Sequence, residues 1–434
     1  TMPILAAGRT GDAPTAAARP DTMGGLMHAI ELEYGADEPL VLERVADAPH
    51  VVCRGPAGVA GPEAHDMVAR AVGSPAHGPP LAAHVVAGDR VVIAWAGRIP
   101  QQGPVLEALV ETLRGSGVEE EITVLRAEPL TLAEPPAPRT AQPLAACHGV
   151  AVDDFDPSSE SATAYLAADE AGRPLHLARS MVDADVVIAV GARVWNAALG
   201  GRSPEGELWP SFARQECRQD FERALTRRGR HALPEWRHGL QEVAWQLGVC
   251  ASLRLVPGRH GTLHAACFGL PDEAGRLARL AAADWCPRLD AAADLTLATL
   301  SDPGAGFASV AAAVAAAARV TKPTGTICVC GRVSVGPGLV FLRWRQGAPL
   351  DRLVHEAVAT GDPALESDAL LTRLFARALG ERRLVLLSEL DESTVEELAF
   401  GHAAAPEVVE RLAHRAESVI VLEEADLMLP RCRP

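Results

Sequence analysis

"GDRVVIAWAGRIPQQGPVLEALVETLRGSGVEEEITVLRA", residues 88–127, reads as strand, helix and strand in succession. VVIAW is an apolar run behind a glycine turn. GPVLEALVETLRGSGV carries apolar residues at helical spacing and ends on Gly115 and Gly117, and EEITVLRA returns to strand character. A strand followed by a crossover helix and another strand is the βαβ unit, which makes a parallel sheet. The same character recurs at "ADVVIAVG", residues 184–191, a continuous apolar run without polar alternation, as in a strand covered on both faces.

That second strand leads into "VGARVWNAALGGRSPEG", residues 190–206. Loops leaving the carboxyl ends of parallel strands are where α/β sheets usually hold ligands. The plainer reading is a tight turn whose glycines supply positive φ. Both readings stand at this point.

The remaining segments extend the pattern. HAIELEYG alternates as an edge strand, and AGRPLHLARSMVDADVVIAVG reads as a helix and then the strand. Residues 207–238 read as arginine-rich helices and loop, LQEVAWQLG as helix, and ASLRLVPGRHGTLHAACFG as a hairpin turning at Gly258–Gly261. A second α/β set follows residue 272: the helix EAGRLARLAAADW, the strand ADLTLATL, the alanine helix FASVAAAVAAAARV, the strand GTICVCG, a helix from Leu350, the strand RRLVLLS, the helix PEVVERLAHRA and the strand SVIVLEE. The expected organisation is a loose tail over 1–26, one α/β domain over 27–270 and a second over 271–430. Both have mostly parallel sheets, with a cleft between them suited to a small molecule.

Composition bounds the function. The 434 residues are 48% hydrophobic and carry a formal net charge of −16. That charge argues against nucleic-acid or anionic-membrane binding, which requires clustered positive charge. The longest apolar run is shorter than the roughly 20 residues that span a bilayer, and the first residues lack the basic and apolar regions of a signal peptide. The nine cysteines form no C-x-x-C pair, which suggests reduced thiols and a cytoplasmic location. Among 40 basic side chains, Lys322 is the single lysine.

Taken in order, four segments resemble the nickel-dependent lactate racemase family. They are residues 88–125, the stretch AGRPLHLARSMVDADVVIAVG, ARVTKPTGTICVCG, and RRLVLLSELDESTVEELAFG. The resemblance covers roughly residues 27–430. It implies two α/β domains holding a nickel-pincer nucleotide in the cleft and an isomerase chemistry of hydride abstraction and return on 2-hydroxy acids. Two histidines would act as acid and base, and a lysine would anchor the cofactor.

The motif positions depart from that pattern. Where the family has Asp-x-x-Arg-Pro, this chain has Trp95, Arg98 and Ile99. The Gly-Thr-His loop corresponds to RAEPLTLAEPP, which has no histidine. Pro-His corresponds to Trp195 and Asn196, and Gly200 and Gly201 remain, but RSPEG replaces the anchoring lysine. A further family lysine falls near Ala312. Arginine cannot substitute for an amine nucleophile because its guanidinium stays protonated, and Lys322 sits in the structural TKPTG turn.

His148, His260 and His264 read as solvated or structural rather than metal ligands, and DDFDPSSES as a solvated acidic turn. The residues expected to line a ligand site are therefore Arg98, Gly200, Gly201, Trp95, Trp195 and Asn196, with no catalytic or metal-ligating residue assigned. The expected function is a lactate racemase-like protein with a degenerate active site, binding a small carboxylate or phosphate or serving as a partner subunit. The alternative is an active divergent 2-hydroxy acid racemase or epimerase holding the pincer nucleotide without a covalent link.

Overall fold

The computed structural model describes residues 30–35, 39–42, 50–119, 121–127, 149–169, 172–201, 208–249, 251–302 and 306–433. The expected tail, the proline-rich stretch after Ala127, His148 and RSPEG lie outside these residues.

The described residues form two six-stranded sheets. Small strands β1 (Ile30–Leu32) and β2 (Leu40–Leu42) pair antiparallel with each other, and β3 is His50–Cys53. The first large sheet contains β4 (Val91–Ala96), β5 (Ile122–Ala127), β6 (Ala151–Asp154), β9 (Val186–Ala192), β10 (Ala251–Pro257) and β11 (Leu263–Gly269), in the order β11-β10-β9-β4-β5-β6. Between β6 and β9, β7 (Thr163–Ala168) and β8 (Pro174–Ala178) make an antiparallel pair. β12 (Arg288–Leu289) pairs with β18 (Arg431–Cys432). The second large sheet contains β13 (Ala293–Thr299), β14 (Thr321–Cys330), β15 (Arg383–Leu387), β16 (Gly401–His402), β17 (Val419–Leu422) and β3, in the order β16-β15-β14-β13-β17-β3.

The fold is thus mixed α/β with mostly parallel sheets, as the βαβ reading requires. All pairs in the second sheet are parallel, and the first departs only where β10 and β11 close the expected hairpin. The alanine helix Phe307–Ala317 is almost wholly buried and packs in a core with the second sheet.

Three sequence expectations need correction. The second sheet takes β3 from the N-terminal part of the chain, and Ile30, Leu32, Leu40 and Leu42 pack against Leu295, Leu297 and Val421. The division at residue 270 therefore does not separate the sheets: the first-sheet unit is inserted into the second. The stretch expected as a helix before β9 begins as strand β8, with Leu175 and Leu177 buried, and only Arg179–Val182 is helical. The first residues of the acidic stretch at 153 extend β6, where Asp154 takes two hydrogen bonds of 2.9 Å from Arg126 on β5.

The chain passes from one sheet to the other just after β3 and again after β11, and one side chain packs on the first crossing and reaches the end of β10. Trp285 is 1% exposed. Its Nε1 donates to Pro257 O at 2.7 Å, and its carbonyl accepts from Leu429 N at 2.9 Å. A Cβ on Gly55 would lie 2.1 Å from the indole Cη2. Replacing Gly55 with alanine forces the ring or the crossing to shift, as overpacked cores do at a cost of about 1–3 kcal/mol. Urea unfolding of Gly55→Ala will show a lower midpoint at unchanged slope.

Candidate functional site

Each large sheet reverses its strand order once. In the first, β5 and β6 lie on one side of β4 while β9 lies on the other; in the second, β14 lies on one side of β13 and β17 on the other. Such switch points open a crevice at the carboxyl ends of the strands, where open α/β sheets bind ligands. Here the two switch points are bridged. Arg98, beyond β4, donates through Nη1 to Asp302 Oδ2, beyond β13, at 2.7 Å.

Behind this pair, the amide and hydroxyl of Ser301 donate to Asp426 at 2.8 and 2.6 Å. Burial pushes the Asp426 carboxyl up, and the Ser301 hydrogen bonds oppose the shift.

Beside them lies a cavity of about 610 Å³, lined by Thr299, Ser301, Glu423 and Glu424 from the second switch point, Arg54 after β3, and Arg259 and His260 from the β10–β11 turn. Glu31 and Glu33 close its outer side. Arg54 Nε donates to Glu423 Oε1 at 2.8 Å, and His260 Nδ1 lies 3.3 Å from Glu33 Oε2.

Glu424 is the distinctive group. It is 6% exposed and has a left-handed backbone, φ 57°. Its Oε1 accepts from His260 N at 2.8 Å, and its own N–H donates to Thr299 Oγ1 at 3.0 Å. Its Oε2 is buried with no partner among the described residues.

Burial raises the carboxyl to about 7, with Asp426 and Glu423 adding to the rise and the His260 amide opposing it. Arg259 Nε is likewise buried without an acceptor.

His260 and Gln101 are also left-handed, at φ 56° and 51°. Gln101 Nε2 donates to Gly261 O at 2.8 Å, so three strained non-glycine residues converge on one turn. Strain of this kind costs about 1–3 kcal/mol per residue and clusters at ligand sites. The cavity can offer a permanent cation at Arg259 and a carboxyl that changes protonation near neutral pH.

The sequence-derived candidates lie elsewhere. Trp95 is 3% exposed and belongs to the apolar core under the first sheet. Trp195 donates through Nε1 to Ala282 O at 2.6 Å beneath the Arg193 guanidinium. Asn196 Oδ1 accepts from Leu199 N at 2.9 Å, and its carbonyl accepts from Gly201 N at 2.7 Å.

Gly200 and Gly201 have φ 71° and 80°, and a Cβ on Gly201 would meet Leu429 Cδ2 at 2.2 Å. The glycine pair makes a tight turn that closes on the C-terminal segment. None of the six lines the 610 Å³ cavity; Arg98 reaches the bridge beside it.

The lining residues that composition missed had a signal, since Thr299, Ser301, Glu423 and Glu424 are polar residues at or just after the ends of buried strands. Lys322 donates to both carboxylate oxygens of Asp294, at 3.0 and 2.8 Å, at the amino end of β13. About 17 Å of extended strand separates Asp294 from Thr299. His264 Nδ1 lies 2.8 Å from Ala57 O, and among the described residues no three His, Cys, Asp or Glu side chains converge as metal ligands.

This architecture is that of a two-sheet α/β protein with facing switch points and a polar cleft at the strand ends. No protein-family model matches the chain, and no curated protein matches it by sequence. Among solved structures, the lactate racemase apoprotein from Thermoanaerobacterium thermosaccharolyticum matches with a TM-score of 0.70 at 15% identity, over 93% of this chain and 100% of that one. A protein from Thermotoga maritima matches with a TM-score of 0.61 at 11% identity, over 85% and 98%. The fold is lactate racemase-like. No described helix is long and apolar enough to cross a membrane.

Glu424 makes stability depend on pH with a definite sign. Its folded value, about 7, lies above the ordinary 4.5, so between these values the folded chain keeps a proton that the unfolded chain has released. Stability therefore falls as pH rises through that window, by at most about 1.4 kcal/mol per unit, and levels above it. Unfolding midpoints measured across pH 4–8 will show a shallower fall in Glu424→Gln.

Proposed function

We propose that this lactate racemase-like protein does not carry out lysine-anchored nickel-pincer racemisation and instead binds a small carboxylic or phosphoric acid in the cleft. The observation that carries the reading is the position of Lys322. The family chemistry needs an amine where the cofactor joins, yet the only lysine of the chain is held by Asp294 at the far end of β13 from the cleft.

Further support comes from the glycine turn, where Leu429 packs against Gly201, and from the histidines among the described residues, which do not converge on a donor set. The residues present do not fit the anchored cofactor.

What they do fit is an acid with one further hydrogen-bond donor. Arg54 and Glu423 occupy each other. Arg259 Nε remains as a donor and Glu424 Oε2 as an acceptor, both buried in the same crevice. A carboxylate or phosphate on the guanidinium gains a charge-assisted hydrogen bond, and a hydroxyl or amino group of the ligand satisfies Glu424.

Native mass spectrometry of protein co-produced with the nickel-pincer maturation enzymes tests the negative half of the proposal. A mass without covalent nickel nucleotide, and no lactate racemisation, are expected; either an adduct or turnover overturns it in favour of the divergent-enzyme alternative. For the positive half, a ligand of the native state must raise its melting temperature. Glycolate, glycinate and phosphate are the probes. At least one is expected to raise the melting temperature of the wild type, and the rise is expected to vanish in Arg259→Met.

A further inference from the structure

A second cavity, of about 370 Å³, opens on the opposite side of β9 and β10 from the helix Gln102–Gly115, beneath the helix Leu233–Gln246 and beside the start of the helix Pro271–Ala281. Its size suits a small organic ligand. Four arginines line it: Arg193, Arg237, Arg254 and Arg279. Among its described lining residues the four arginines stand against two acids, Asp272 and Glu273, in a chain of net charge −16.

Strand register explains the floor. Ser252 and Arg254 on β10 stand beside Ala189 and Gly191 on β9, and Arg193 follows on the same face. Arg193 and Arg254 are 7% and 8% exposed.

Burying a guanidinium costs several kcal/mol unless acceptors surround it. Each of these arginines makes interactions within the chain, but a guanidinium has five N–H donors in a fixed fork and can take a ligand oxygen alongside. Ser252, fully buried, has an Oγ with no hydrogen-bond partner among the described residues.

The mouth has the opposite character. Trp245 is 78% exposed and Leu270 53%, and both line the cavity together with Leu208 and Leu240. Exposed apolar groups around a recess mark binding surfaces more often than isolated ones do. A bare inorganic ion would leave that rim in water, and a neutral apolar molecule would offer no acceptor to Ser252 Oγ.

We propose that this cavity binds an amphipathic organic monoanion, its carboxylate set toward Arg193, Arg254 and Ser252 and its apolar body lying between Leu240, Trp245 and Leu270. The site shares no lining residue with the strand-end cleft, so it stands or falls separately from the reading given for that cleft.

Isothermal titration calorimetry of the full chain with sodium octanoate is the test, with acetate and inorganic phosphate as the contrasting probes. Octanoate is expected to bind with a stoichiometry of one, and acetate and phosphate at least about tenfold more weakly. Trp245→Glu, at the exposed mouth, is expected to weaken octanoate at least about tenfold at an unchanged unfolding midpoint, and Arg237→Glu to weaken it by a similar factor. Arg193→Met, checked by circular dichroism for its fold, is expected to do the same. Absence of binding at millimolar octanoate, a stoichiometry well above one that signals surface adsorption, phosphate binding as tight as octanoate, or undiminished affinity in Trp245→Glu and Arg237→Glu would each overturn the proposal.

Discussion

The contact on which the rest of the structure depends is the indole of Trp285 against Gly55. The first-sheet unit is inserted into the second, so the chain must cross between them twice, and the first crossing, at Gly55, passes this ring. Its nitrogen holds Pro257 at the end of β10, its carbonyl holds the C-terminal segment, and its face excludes any side chain at residue 55. A hinge there would separate Arg259 and His260 from Glu424. With the ring in place, the hairpin turn is pressed onto the carboxyl ends of the second sheet, and the 610 Å³ cavity follows as a consequence of packing.

That placement also accounts for the strain. Gln101, His260 and Glu424 take left-handed backbones although none is glycine, and each is held by hydrogen bonds to a neighbouring segment: Gln101 to Gly61 and Gly261, His260 to Glu424, and Glu424 to Thr299. The stabilisation from apolar burial at the crossings offsets their cost. Strain sustained in this way keeps Glu424 directed inward, away from the water that would otherwise solvate its second oxygen.

Much of the fold was legible because parallel strands buried on both faces leave uninterrupted apolar runs, as at residues 91–95, 186–190 and 419–422, and because helices between them carry their own spacing. What was not legible is pairing between distant segments. Nothing local in His50–Cys53 says that it joins β17, whose sequence lies more than three hundred residues away.

The pleat decided the site residues in the same way. Trp95 and Arg98 both stand near a strand end, yet one side chain enters the core and the other reaches Asp302. Gly200 and Gly201 were expected to line a ligand site, and the position of Leu429 against Gly201 shows what presses on that turn. Glu424 was within reach of sequence reasoning as a polar residue directly after a buried strand. Its burial and raised carboxyl arise from the hairpin that covers it.

The distribution of basic residues bears on what the cleft can do. A chain that uses arginine at all but one basic position retains fixed positive charge and loses amine chemistry, since a guanidinium neither gives up its proton nor forms a covalent link under ordinary conditions. Arg54 is held by Glu423, and Arg259 is a fixed positive charge that cannot exchange a proton. Glu424, raised to about 7, can exchange one, from one side of the cavity.

The cavity sets the Arg259 guanidinium and the Glu424 carboxyl in one crevice, with Glu31, Glu33, Glu423 and His260 on its walls. That arrangement follows from the same two facts that shape the cleft: which basic residue the sequence uses, and which turn Trp285 holds against the strand ends.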